Sequence, residues 1–164
     1  MSISNLYFLY MKQGSTLFLK SVIYLIGLAV LGLCAILVGN AFGNGEVGMF
    51  TPILLGMTAA AIPFLYALYQ GLLLLSYIDN NAPFSELSVK ALHTARYCHF
   101  SVSCIYAAGM PYIIYVADKD DAPGAVLFAL LIIFAFLVVG VFTAVVEKLV
   151  QNAIDIKSEN DLTV

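Results

Sequence analysis

Residues 122–146 read APGAVLFALLIIFAFLVVGVFTAVV, 25 positions from Ala122 to Val146 without an Asp, Glu, Lys or Arg. An α-helix rises 1.5 Å per residue, so about 20 such residues cross a hydrocarbon core of about 30 Å. The stretch shows none of the strict apolar–polar alternation of a membrane β-strand. Three further charge-free gaps lie upstream: Ser21 to Gly45, Val47 to Ile78 and Tyr97 to Ala117, of 25, 32 and 21 residues. The four gaps predict an all-α integral membrane protein, a four-helix bundle forming a single transmembrane domain. Its helices are expected at about 17–42, 52–78, 86–117 and 122–157, the third and fourth running on beyond the bilayer.

Composition agrees. The 164 residues are 62% apolar or aromatic and 10% charged, against roughly 45–50% and about 25% in a soluble domain. So few charges cannot coat a soluble fold of this size, and a disordered chain needs the opposite balance. Seven basic residues make no footprint for direct nucleic-acid binding. A cleavage-like Gly39-Asn40-Ala41 would suit a signal peptide, but the remaining gaps need a membrane in any case.

The placement of charge predicts the orientation. Lys12, Lys20, Lys90, Arg96, Lys148 and Lys157 fall on one side of the spans, and only Lys119 on the other. By the positive-inside rule the six-residue side, with both termini, is cytoplasmic. A multi-pass protein of the bacterial cytoplasmic membrane follows, with the lipid bilayer as its first partner. The opposite side carries Glu46, Asp118, Asp120 and Asp121, an outer acidic patch that would attract a cationic peptide.

Local signals refine the elements. Thr51 is expected to cap the second helix, with Pro52 at its first position. Ser85 is expected to cap the third, with Glu86 in the first turn. Pro63 and Pro111 should bend their helices. Small residues four apart, including Ala35/Gly39, Gly56/Ala60, Ala67/Gly71, Ser103/Ala107 and Gly140/Ala144, suit close packing within the bundle or in a homo-oligomer.

Chemistry is sparse. No acidic residue, Lys or Arg lies within a span, which argues against an ion-coupled pump. Gln70 is the candidate intramembrane polar residue: interhelical hydrogen bonding is its expected use, and a small polar pocket with Tyr66 and Tyr69 the alternative. His93, Cys98, His99 and Cys104 cluster in sequence, yet gaps of six do not place ligands on one helix face, and no metal or cofactor is expected. No nucleophile elbow, phosphate loop or acid–base pair points to an enzyme. The distinctive residues lie outside the spans. Candidate partner contacts are Asp79, Asn81, Pro83, Phe84, Ser85 and Lys90 between the second and third helices, and Asn152, Asp155, Lys157 and Asn160 in the tail. Leu149, Val150, Ala153 and Ile154 give that tail a helical apolar face.

The segment Leu74-Leu75-Ser76-Tyr77-Ile78-Asp79-Asn80-Asn81 through Pro83-Phe84-Ser85 resembles a bacterial membrane family of unknown function. It is number two-nine-seven-five in the domain-of-unknown-function series. Ser88 to Leu92 and the ending Asn152 to Val164 are similar to it as well, and the resemblance runs from about Met11 onward. It implies four membrane helices in a Gram-positive cytoplasmic membrane, encoded beside a small helix-turn-helix regulator, and carries no site residues. Met11 to Lys20 matches the family's usual start, so residues 1–10 are expected to be a mis-called start. The expected function is a regulatory, sensory or accessory role through the cytoplasmic face, with a helix-turn-helix regulator or another cytoplasmic protein as partner. The alternatives are protection against cationic membrane-active peptides, and a small transporter or channel working as an oligomer.

Overall fold

The computed structural model describes residues 3–42 and 48–161, with side chains for 14–42 and 48–160. Four helices follow one another: α1 (Ile3–Phe42), α2 (Thr51–Asp79), α3 (Glu86–Lys119) and α4 (Gly124–Asp161). All four are long and apolar enough to cross a membrane. Even α2, the shortest at 29 residues, reaches about 44 Å at 1.5 Å per residue. Among the described residues there is no strand. Large apolar side chains such as Leu28 and Ile62, each 71% exposed, point outward, where lipid rather than water is the natural neighbour.

Three boundaries differ from the sequence expectation. α1 begins at Ile3 rather than near 17, since no Pro interrupts the run before it and Lys12 is its one charge. Thr51 is the first residue of α2, not its cap: Phe50 holds the cap position with no side-chain hydrogen bond, and the Thr51 amide donates to the Gly48 carbonyl at 3.0 Å. α4 starts at Gly124 and ends at Asp161. Pro123 restrains the residue before it to extended geometry, which moves the start past 122.

Both described turns end their helix in the same way. Asn81 (φ 57°) and Asp121 (φ 50°) adopt left-handed backbone. Behind them, the Ala82 amide donates to the Tyr77 carbonyl and the Ala122 amide to the Ala117 carbonyl, each at 2.9 Å. These six-to-one bonds are the Schellman closure of a helix, followed here by Pro83 and Pro123, which cannot continue it.

Each helix packs against its neighbours in sequence, α1 on α2, α2 on α3 and α3 on α4. Among the described residues, α1 and α4 make no close backbone approach. α3 is therefore the central helix together with α2. Its buried stripe of Ser88, Ala91, Ala95, Cys98 and Val102 repeats every three or four positions, so small side chains face a neighbour turn after turn. Ser103 donates to the Ile133 carbonyl of α4 at 3.2 Å. Ser101 and Thr143 instead bond back to carbonyls four residues earlier in their own helices.

The small-residue pairs prove unequal. A Cβ on Gly140 would stand 2.9 Å from the Phe100 ring, and one on Gly71 3.7 Å from Ile23, whereas Gly39 and Gly56 have open space around them. Of these four glycines, only the first two lie against a side chain of another helix. Between the helices remains an apolar cavity of about 140 Å³ lined by all four, including Cys34, Phe64, Tyr106 and Phe136. Phe64 and Phe136 meet edge to face at 5.7 Å, closing it from α2 to α4.

Candidate functional site

The antiparallel order brings the end of α2, the start of α3 and the end of α4 to one end of the bundle, and this end holds all the ion pairs among the described residues. Lys20 of α1 pairs with Asp79 of α2. Across α3 and α4, His93 Nδ1 lies 2.8 Å from Glu147 Oε1 and Arg96 Nη1 lies 3.2 Å from Glu147 Oε2. The second contact is an ion pair without hydrogen-bond geometry, since Oε2 is buried with no hydrogen-bond partner. Arg96 also lies 4.9 Å over the Tyr97 ring, and its Nη2 is 3.2 Å from His93 Nδ1. These pairs join the charges that bound the spans in sequence: Lys20 precedes Ser21, Asp79 follows Ile78, Arg96 precedes Tyr97 and Glu147 follows Val146. Charges at equal depth in antiparallel helices meet, so the collar marks where hydrocarbon gives way to a polar layer.

The turn between α2 and α3 is tightly built. Ser85, in extended backbone, accepts from the Ser88 amide at 3.3 Å, as a serine cap should. Its Oγ lies 3.1 Å from Ser88 Oγ, which donates to the Ala82 carbonyl at 3.4 Å. Ser88 is fully buried, so its hydroxyl needs these partners. Of the expected contact residues here, Asp79 is paired with Lys20 and Asn81 supplies the left-handed turn. Pro83 and Ser85 are half-buried, and Lys90 is exposed. Phe84 stands 60% exposed, an aromatic ring presented by a rigid turn.

Asn152, Asp155, Lys157 and Asn160 lie on the exposed side of α4. There Asp155 accepts from Gln151 at 3.0 Å and its carbonyl accepts from Ser158 at 2.8 Å. Phe100 faces Gly140, and seven residues further His93 meets Glu147. At equal rise in both helices the next such step sets Glu86 level with Ile154. The 79–85 turn and the α4 tail thus reach the same level.

Other candidates separate. Asp118, Asp120 and Asp121 are all exposed on the α3–α4 turn, beside Lys119, whose Nζ lies 5.8 Å over the Tyr115 ring. Glu46, the fourth member of that patch, lies outside the described residues. The Gln70 pocket does not form. Gln70 turns inward at 7% exposure, while Tyr66 and Tyr69 turn out and stack on each other at 6.2 Å. A helix places adjacent positions about 100° apart, which separates 69 from 70. Cys98 is buried and Cys104 exposed, and His93 is held by Glu147. Among the described residues no three potential ligands converge on a metal position.

The His93–Arg96–Glu147 cluster is what sequence reasoning missed. Its signal was present: Arg96 and Glu147 are the charges that end neighbouring spans, and His93 lies one turn before Arg96 on the same face.

Comparison with known proteins gives a consistent picture. The family model described as "Protein of unknown function (DUF2975)" matches residues 41–164. The uncharacterized membrane protein YoaS of Bacillus subtilis (strain 168) is 48% identical, the match covering 94% of this chain and 100% of that protein. No solved structure is detectably similar. Four apolar helices, the matched model and a full-length relative agree that this chain is a multi-pass membrane protein belonging to the DUF2975 family.

Proposed function

We propose that the protein is a regulatory or accessory membrane protein that engages a cytoplasmic partner through its 79–96 segment and the tail of α4. The observation behind this reading is the length of α4, which continues unbroken from the last membrane residue, Val146, to Asp161. That extension projects about 22 Å at 1.5 Å per residue. Leu149 and Ile156, 62% and 68% exposed, stand seven positions apart and so share a face. An apolar stripe on a helix outside the bilayer suits a groove on another protein. Six of the seven basic residues flank this side, which favours a cytoplasmic setting. A helix-turn-helix regulator fits as the partner, because such proteins are soluble and present apolar helix faces.

Two measurements test the reading. A reporter enzyme fused after Val164 should be active only in its cytoplasmic form; activity outside the membrane overturns the orientation. Mild crosslinking followed by affinity capture should yield a partner that is lost both on deletion after Lys148 and in a Leu149→Asp/Ile156→Asp variant. Capture unchanged by both would refute the proposed contact.

A further inference from the structure

A groove of about 550 Å³ runs between α3 and α4 at the charged collar. Its walls change character along the helix axis. Phe100, Val141 and Val145 line it at hydrocarbon depth, and Arg96 and Lys148 line it where the charge-free segments end. We propose that this groove binds one anionic phospholipid, its phosphate between Arg96 and Lys148 and the upper part of an acyl chain along Phe100, Val141 and Val145.

Three observations carry the assignment. The first is depth: Val141 to Lys148 spans about 10 Å along the helix, the distance over which a lipid passes from acyl chain to phosphate. The second is charge. Arg96 and Lys148 against Glu147 leave one net positive charge in the groove, matched by the single negative charge of a phosphodiester. Arg96 is already fixed by Glu147 and by the Tyr97 ring, and a guanidinium held this way keeps further donors for phosphate. Lys148 is exposed and has no acidic group within 4.0 Å among the described residues. The third is shape. The Phe100 ring packs against α4 in the space a Cβ on Gly140 would need and forms one wall of the groove. Basic pockets between membrane helices at headgroup depth recognise anionic lipids on these grounds. A choline headgroup would bring its own positive charge toward these two cationic side chains.

The full-length protein, delipidated in maltoside detergent, is titrated with phosphatidylglycerol, phosphatidylcholine or glycerol 3-phosphate, and followed by thermal unfolding and native mass spectrometry. One retained phosphatidylglycerol and a rise in Tm that phosphatidylcholine does not give are expected. Lys148→Gln, which breaks no ion pair or hydrogen bond among the described residues, should weaken phosphatidylglycerol binding about fivefold, the loss expected for one basic residue at headgroup depth. Gly140→Leu should weaken it by displacing Phe100 into the channel, and Lys157→Gln should leave it unchanged. Equal shifts with phosphatidylcholine would mean that lipid only surrounds the helices, and would overturn the proposal. So would an equal shift with glycerol 3-phosphate, which would identify an anion site indifferent to acyl chains. Undiminished binding by Lys148→Gln would overturn it as well.

Discussion

After α2 the chain reads Asn80-Asn81-Ala82-Pro83, and after α3 it reads Asp120-Asp121-Ala122-Pro123. Both stretches place a non-glycine residue in left-handed backbone and close with the same 2.9 Å amide-to-carbonyl bond. What surrounds them differs. The first turn runs into the Ser85 cap, has buried Ser88 beneath it and is tied to α1 through Lys20 and Asp79. The second passes from Pro123 directly into α4, started by backbone bonds from Ala125 to Ala122 and from Val126 to Pro123. One backbone motif thus serves as a fastened corner at the ion-paired end and as a plain reversal at the acidic end. Local sequence sets a turn's shape, and the residues just beyond it set how firmly it is held.

Substitutions can break that contrast at graded strength. The largest effect is expected where two side chains depend on one partner. Glu147→Ala would strand Arg96 and His93 and should cost about 2 kcal/mol, below the 3–5 of a fully buried pair because His93 is half exposed. Lys20→Met, at a pair whose two side chains are both more than a quarter exposed, should cost less than about 1 kcal/mol. Unfolding in mixed detergent micelles measures both, and equal losses would remove the distinction between the α3–α4 clasp and a surface pair. Ser85→Ala comes next, at about 1 kcal/mol for a lost helix cap, with faster hydrogen exchange at Ser88 and Val89. The same exchange measurement at Ala125 and Val126 should be unaffected by that change; coupled acceleration there would mean that the turns are not independent. The smallest effect compares the left-handed residues. Asp121→Gly should stabilise by about 0.5 kcal/mol as strain is relieved, while Asn81→Gly should be close to neutral, since Asn tolerates this conformation better. Equal gains in Tm would show that the two turns carry equal strain.

Much of the architecture could be read from charge alone, because ionised side chains are excluded from hydrocarbon and their gaps mark the spans. Ser85 was legible for a similar reason: a serine with a glutamate in the following turn leaves few other roles. Thr51 misled because Gly48-Met49-Phe50 turns through backbone geometry and needs no side-chain cap. Gln70 and Tyr69 are neighbours in sequence, yet the helical period points them apart, and Tyr66, one turn before Gln70, stays exposed and stacks on Tyr69. The clasp was hidden for the opposite reason. His93 and Glu147 lie 54 residues apart, and only the register of α3 against α4 brings them together. Proximity along the chain is thus a poor guide to shared chemistry in helices of this length, whereas equal depth in the membrane is a good one.

Among the described residues the close backbone packing runs α1 on α2, α2 on α3 and α3 on α4, with Phe64 against Phe136 as a side-chain bridge from α2 to α4, and this order bears on how the protein is made. A helix released into the bilayer as synthesis proceeds meets its partner as soon as the next span arrives, and none of these backbone contacts waits for a distant one. Contacts so local in sequence favour rapid assembly. Because lipid shelters apolar surface as well as another helix does, each intermediate stage can rest in the membrane without exposing its apolar surface to water. The order of biogenesis is therefore written into the arrangement itself: the protein can grow one hairpin at a time, and α4, which completes the clasp, is the last to arrive.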